Sequence, residues 1–485
     1  MPASSMLCNV RVKQAEGKGI SYKYRKLIHA SDGYSYNYLT NASGPKGPSF
    51  RAYLRYTMKV QPIDQVLWYL KRSAPKQLRH ELKVDVAVVG GGMAGLTAAQ
   101  AFKDKGLSVV LLEKYFCGAG ASGKSSGFIT PDSEFSLHAF TQRYGKEKAK
   151  DIWEFAIGGV KHIQKNIEMF SLACDYQVED TLVVANSTKM FREDLEAEHK
   201  TRKEHSYTST LYTKEEIPSV LGSEKYYGGI RYGGSFGINA YAYCQGMKDV
   251  LQEQGVSIYE ETPATRIVSG VVETPYAAVH ADHVIVCADR FTPELNVLKK
   301  DIYHAQTFLL LSASLEDKHI RALFPKENCM VWDTDLVYNY YRITGDNRLM
   351  VGGGSVLTMY HEDEQHHNWR IARKLENYFK NKFPQIPITF EYMWPGLIGI
   401  TKDIIPIAGW DPHYDRVYSI AGAAGLPWAA ALALYSADHI VDKRTEFDSY
   451  FSPTRKFPLG HFAQFFLGTK LTFALSNYKT LSSYE

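Results

Sequence analysis

The residues with the plainest chemistry lie between Val84 and Glu113. VDVAVV (84–89) runs straight into GGGMAG (90–95), and Glu113 closes a second apolar run, LSVVLLE (107–113). Gly90, Gly92 and Gly95 fill the three positions of a GxGxxG loop set between a strand and a helix. Gly90 permits the tight turn, Gly92 lets a pyrophosphate reach the main chain, and Gly95 lets helix and strand pack closely. Met93 and Ala94 open the helix, whose free N–H groups and positive dipole end suit phosphate. Glu113 stands where an acid binds ribose hydroxyls, and its charge repels a 2′-phosphate. The unit reads as a site for FAD or NAD and speaks against NADP.

The elements that must position these residues follow from pattern. VDVAVV is apolar and β-branched apart from Asp85, as a strand buried on both faces requires. Leu96–Lys105 has apolar residues at helical spacing and stops at Gly106, a natural C-cap. Residues 65–79 predict a short helix leading into the core. Residues 139–170 predict a helix with Phe140, Tyr144, Ile152, Phe155, Ile163, Ile167 and Phe170 on one stripe. The segment 183–220 is polar, with surface helices and loops expected. Further helices are expected at Tyr241–Gln254 and Glu362–Phe383, and strands at 256–262, 281–288, 304–312 and 339–352. Residues 420–435 form the longest apolar run, but Gly422, Gly425 and Pro427 break it, so a buried turn and helix fit better than a membrane span.

The bulk numbers agree with an enzyme-sized globular chain of 485 residues, 45% hydrophobic and 22% charged. A net charge of +4 gives no concentrated basic face of the kind nucleic acid selects. The six cysteines are scattered, without a CxxC pair, as in a reduced cytoplasmic protein. The first residues, MPASSMLCNVRVKQAEGKG, lack the apolar core of a signal peptide. Residues 1–60 read as loop or short hairpins and carry no assignable chemistry. His361, His366 and His367 stand beside Glu362, Asp363 and Glu364 and read as a solvated helix start, with no metal expected.

The run GAGASGKSSG (118–127), directly after Glu113, resembles the second flavin-binding segment of the FAD-dependent D-amino-acid-oxidase-like family. Glycine oxidase, sarcosine oxidase and γ-glutamylputrescine oxidase belong to that family. Four later segments keep its order: 233–267, 281–295, 337–355, and 394–409 with 420–433, where Asp403, Pro406 and Gly409 keep the pattern. The resemblance implies an α/β fold, with a Rossmann-like FAD-binding domain of the glutathione-reductase-like type and an inserted mixed or antiparallel-sheet substrate domain. It divides the chain into an extension and lead-in helix (1–83), FAD-domain pieces (84–175, 225–300, 395–445), substrate-domain pieces (176–224, 301–394) and a C-terminal arm (446–485). It selects FAD over NAD. It adds Lys114, Gly120, Ala121, Ser122, Gly123 and Lys124 to the cofactor residues, with Lys124 in place of a more usual Arg. It places the main chain of Ala264 at the adenine. It puts Gly422, Ala424, Gly425, Leu426 and Pro427 at the flavin, where a helix N-terminus stabilises negative charge. Cys117 and Cys329 match no flavin-attaching position and read as small buried residues.

The resemblance further implies oxidation of a C–N bond by hydride transfer to the flavin, giving an imine that hydrolyses. Where glycine-oxidase-like members carry a carboxylate-gripping Arg, this chain has Ile398, and a second such position reads Ala423–Ala424. Loss of that clamp disfavours a small α-amino acid and suits an amine such as γ-glutamylputrescine. Arg342 is the candidate replacement clamp. Tyr338 and Tyr340 share one strand face as a candidate aromatic pocket, with Tyr341 opposite. Trp428 is a candidate neighbour of the flavin, and Arg342, Tyr340 and Trp428 are the candidate catalytic set. Structural uses remain open for each: an ion pair for Arg342, core packing for the tyrosines and Trp428. The rival readings are an amino-acid oxidase or dehydrogenase acting on glycine, sarcosine or a D-amino acid, and a flavin-binding partner subunit or pseudo-enzyme. Oxygen or quinone is the expected electron acceptor. The aromatic, mildly basic tail (456–485) is expected to fold back as an arm, with contact to a membrane surface as the alternative.

Overall fold

A strand without polar alternation has to be covered on both faces, and the second half of Leu82–Val89, residues 86–89, is buried throughout. In the computed structural model Val86 and Val88 enter one core with Leu96 and Phe102, while Ala87 and Val89 enter a second core with Val272 and Val286. The structure describes residues 25–29, 35–39, 59–60, 66, 68, 74–355, 359–360, 368–423 and 425–482. The chain divides into two units, Met1–Lys59 and Val60–Glu485. In the first, Arg25–His29 and Ser35–Leu39 pair as an antiparallel hairpin.

The second unit holds two large sheets. In one, Ser257–Tyr259, Val109–Leu112, Leu82–Val89, Ala278–Val286 and Val417–Ala421 run parallel in that order. The helix Met93–Asp104 follows the leading strand, and Gly106 (φ +84°) ends it. The other sheet is mixed. It runs from Phe390–Ile400 through Tyr303–Ser314, Arg348–Gly353, Tyr340–Ile343, Cys329–Asp333 and Asp180–Val184 to Gly228–Tyr232 and Thr210–Thr213. Cys329–Asp333 and Asp180–Val184 are parallel, and the neighbouring pairs are antiparallel. Gly228–Tyr232, expected in the dinucleotide domain, pairs with Asp180–Val184 in this second sheet. Phe390–Ile400 likewise continues past the expected boundary at 395.

The helix expected over 139–170 is two helices, Leu137–Tyr144 and Lys146–Phe170, parted at Gly145 (φ +78°). Periodicity runs through the break, because both pieces bury the same kind of stripe. Phe140, Ile152, Ile163 and Ile167 are buried, and Tyr144, Phe155 and Phe170 pack beside them. Residues 74–79 are not helical; of residues 65–73 only Val66 and Trp68 are described. The helix expected at 362–383 is seen as Trp369–Lys382, and the histidines at 361, 366 and 367 lie outside the described residues.

The C-terminal residues fold back on the body. Arg455 grips Asp403 through two hydrogen bonds, 2.9 and 2.8 Å. Asn477 donates to the carbonyls of Thr401 (2.8 Å) and Lys402 (3.0 Å), and Phe473 is fully buried. The opposite side of the helices His461–Leu467 and Thr469–Ser482 is open, with Phe462, Phe465 and Phe466 80%, 82% and 69% exposed.

The helix Lys146–Phe170 crosses the helix Leu426–Val441 at Gly159, where a Cβ would overlap the Pro427 carbonyl oxygen. Backbone cannot rotate away as a side chain can. Gly159→Ala is therefore expected to cost about 1–3 kcal/mol, seen as a lower thermal unfolding midpoint, whereas Gly158→Ala, where a Cβ meets nothing within 4 Å, leaves it in place.

Candidate active site

The glycine loop is shaped by what it lacks. Gly90 has φ +111°, and a Cβ there would overlap the Cys287 carbonyl oxygen. A Cβ on Gly95 would overlap the carbonyl oxygen of Gly90, so the helix rests directly on the turn. Gly92 is extended and provides no capping side chain, and the first turn of the helix holds no acidic residue. That leaves N–H groups and a positive dipole end facing outward at Met93 and Ala94. The Met93 N–H donates to Ser122 Oγ at 2.9 Å, which brings the second loop onto the first. Glu113 is inward: its carboxylate accepts from the N–H of Gly91 (2.6 Å) and of Tyr115 (2.8 Å). Burial pushes this carboxyl above the usual range, and the two N–H donors oppose the shift.

The loop Gly118–Lys124 is held tightly. Ala121–Lys124 forms one helical turn, and a Cβ on Gly123 would overlap the Gly118 carbonyl oxygen. Gly120 faces open space. Two indoles, 5.7 Å apart, donate to successive carbonyls: Trp68 to Gly123 at 2.7 Å and Trp394 to Lys124 at 3.0 Å. Lys124 is buried. Lys114 points to the surface, 3.6 Å from Glu294. The Thr262 N–H donates to the Glu113 carbonyl and the Thr265 N–H to that of Glu273, which places Ala264 between them.

The closing segment is positioned by a residue that sequence reading passed over. Asp289 is held by burial above the ordinary carboxyl range. Its carboxylate accepts from the N–H of Gly399 (2.7 Å) and Gly422 (3.3 Å), tying both strands of the closing segment to the end of Ala278–Val286. Only the sequence signal of an acid following a buried strand was available, and its φ of +47° cannot be read there. Gly422 (φ +69°) and Gly425 (φ +110°) then turn the chain into Leu426–Val441, with Leu426 and Pro427 buried in its first turn. Ala424 lies outside the described residues. This helix also lacks a capping side chain and a first-turn acid.

Two of the candidate catalytic residues are corrected. Arg342 is fully buried, and its guanidinium donates to the carbonyls of Ser126 (2.8 Å), Ile238 (2.7 Å) and Ile343 (3.2 Å), with Glu179 at 3.9 Å. Three of its five N–H donors go to main-chain oxygens and the whole group is enclosed, so the fork is not presented to a substrate carboxylate. Burial raises Glu179 to about 7, against the pull of Arg342. Trp428 is also buried. Its Nε1 donates to the Pro131 carbonyl (3.0 Å), and its ring packs among Phe140, Phe155 and Phe451. Tyr340 keeps its place as a candidate. Tyr338 and Tyr340 stay partly accessible on one face, their rings 5.9 Å apart. Tyr341 points the other way, fully buried against Tyr226 and Phe379. Phe128, just beyond the second loop, contacts Tyr340 at 5.8 Å, so this face looks toward the cofactor loops. Cys117 and Cys329 are buried thiols whose pKa burial pushes up.

A parallel sheet carrying a glycine loop, an inward acid and two helix starts without an N-cap side chain, beside a second sheet with an aromatic face, is the architecture of a dinucleotide-dependent oxidoreductase. The sequence model of the FAD dependent oxidoreductase (DAO) family matches residues 85–439, and the chain belongs to that family. It is 28% identical over 356 residues to "Probable oxidoreductase OrdL" of Haemophilus influenzae, covering 70% of this chain and 77% of the relative. It is 27% identical over 358 residues to gamma-glutamylputrescine oxidoreductase of Escherichia coli, covering 72% and 81%. Among solved structures it resembles glycine oxidase from Geobacillus kaustophilus, with TM-score 0.67, 20% identity, 78% of this chain and 100% of that one. L-proline dehydrogenase from P. horikoshii gives TM-score 0.64 at 16% identity, covering 80% and 99%. The chain is thus an FAD-dependent enzyme of the amine and amino-acid oxidoreductase class.

If Glu113 holds the cofactor's ribose, Glu113→Ala should weaken FAD binding at least tenfold, about 1.4 kcal/mol. The flavin absorbance retained after gel filtration measures this. Full retention of flavin by the variant would remove Glu113 from the site.

Proposed function

We propose that the enzyme oxidises the C–N bond of an amine of the γ-glutamylputrescine kind. The carrying observation is the fate of Arg342. With Ile398 and Ala423 at the positions where an amino-acid clamp is expected, Arg342 was the remaining candidate, and it is fully buried with its guanidinium bonded to three main-chain carbonyls. What supports an amine instead is the accessible face of Tyr338 and Tyr340, suited to a cationic chain. Bound FAD supplies the electron sink for a hydride from the carbon beside nitrogen, after which the imine hydrolyses. The protein's part is to hold the chain extended along the tyrosine face and to keep water from the reacting carbon. The glycine loop, Glu113, the 120–124 loop, Ala264 and the turn at Gly422–Pro427 are the proposed FAD contacts.

The proposed acceptor is oxygen or a quinone. The open face of the C-terminal helices supports contact with a membrane surface. Phe462 and Phe465 each lie beside Phe466, at 5.0 and 5.3 Å, and residues 449–484 contain no Asp or Glu. Among the described residues no helix is long and apolar enough to cross a membrane. Cys117, Cys174, Cys244, Cys287 and Cys329 are free thiols, which supports the cytoplasm as the proposed compartment.

Anaerobic addition of γ-glutamylputrescine or a simple diamine should bleach the flavin bands of the purified protein, and glycine, sarcosine and D-alanine should not. Bleaching by the amino acids alone would transfer the enzyme to the amino-acid branch. In co-sedimentation, vesicles of anionic lipid should carry the protein down. The triple variant Phe462→Ser, Phe465→Ser, Phe466→Ser should stay in the supernatant; equal sedimentation of the two, or none for the wild type, would remove membrane contact from the proposal.

A further inference from the structure

Most inward carboxylates among the described residues face a cation or N–H donors, Glu179 having Arg342 at 3.9 Å and Asp333 the N–H groups of Asn339 and Asp335. Asp132 faces Arg202 at 3.4 Å and accepts from Tyr232 at 2.7 Å. Glu260 lies 3.6 Å from Lys248, Asp301 3.0 Å from Lys402, and Asp289 is satisfied by main-chain donors. Glu134 is different. Its partner among the described residues is the Tyr338 hydroxyl, which donates at 3.1 Å, and no described cation pairs with it. Burial lifts its carboxyl above the usual range, and the Tyr338 hydrogen bond works against that lift. A partly buried carboxylate that faces no cation among the described residues is costly, and the cost falls when a cation is brought to it.

The surroundings are those of a cation site. Tyr338 leads to Tyr340, Tyr340 to Phe128 at 5.8 Å, and Phe128 to Trp332 at 6.0 Å, a run of aromatic rings beside one carboxylate. The segment carrying Glu134 also abuts the closing turn. The Pro131 carbonyl accepts from Trp428, and the Asp132 carbonyl lies 3.9 Å from where a Cβ on Gly425 would be. Glu134 therefore stands between the substrate sheet and the turn assigned to the flavin.

We infer that Glu134, with Tyr338 and Tyr340, binds an ammonium group of the substrate other than the one oxidised, so that the substrate is an amine carrying a second positive charge. The two nitrogens cannot exchange roles. The reacting amine must be neutral to release hydride, and a carboxylate beside a nitrogen favours its protonated form. Tyr338 is a positioning residue that orients the carboxylate. This assignment rests on the amine reading above and narrows it to diamines and amine conjugates bearing a distant ammonium.

Binding is measured by calorimetry on the FAD-loaded enzyme, reduced with dithionite under anaerobic conditions so that no turnover occurs. The probes are 1,4-diaminobutane, n-butylamine and glycine. Wild type should bind diaminobutane at least tenfold more tightly than butylamine, and Glu134→Gln should bind the two alike. A variant that keeps the diamine preference overturns the role of Glu134 and leaves the amine reading standing. A wild type that binds glycine and neither amine overturns both. If Glu134→Gln does not retain FAD, Tyr338→Phe decides. It should weaken diaminobutane binding at least threefold and leave butylamine unchanged; an unchanged diamine affinity overturns the assignment.

Discussion

The helix Met93–Asp104 sits so close to the strand before it that the space a Cβ would need at residue 95 is already filled by the Gly90 carbonyl. That contact sets the direction of the helix start, and much of the cofactor end follows from it. The helix N–H groups point out over the loop, Ser122 reaches them from the second loop, and Gly91 is left to donate to Glu113. The second loop is fixed in turn by the Trp394 indole, which belongs to the substrate sheet. One close main-chain approach thus orients both the glycine loop and the seam between the two sheets.

The parts legible from sequence were those governed by short-range rules. A buried parallel strand, a glycine turn and a helix each declare themselves within a dozen residues, and Val84–Glu113 was readable for that reason. Family order extended the reading to segments far apart in the chain. What could not be read was where side chains end. Arg342 and Trp428 both spend their donors on carbonyls hundreds of positions away in the chain, Ser126 and Pro131, and no local pattern encodes that. Gly145 hid in a stripe that continues through it, because a break by positive φ leaves hydrophobic spacing intact. Asp289 was missed for a related reason: its importance comes from two glycine N–H groups more than a hundred residues downstream.

Charge is distributed in two ways. Around the scaffold it is neutralised internally, as in Arg202 with Asp132 and Glu198, or Arg455 with Asp403. Such pairs add little net stability over apolar packing but are expensive to break, so they hold geometry more than they hold the fold. Along the tyrosine face the internal neutralisation stops. The contrast between Asp132, which faces Arg202, and Glu134, which faces no cation among the described residues, occurs within three residues of one segment.

The hydrogen bond from Trp68 to the Gly123 carbonyl has an effect beyond the loop it holds. Trp68 comes from the stretch that precedes the leading strand, and its indole rests near Trp394 across the loop. A ligand on the 120–124 loop and the Trp68 contact therefore bear on one another, and the dependence runs equally in both directions. With the proposed nucleotide on that loop, Trp68 is coupled to the loading of a site to which it contributes one indole.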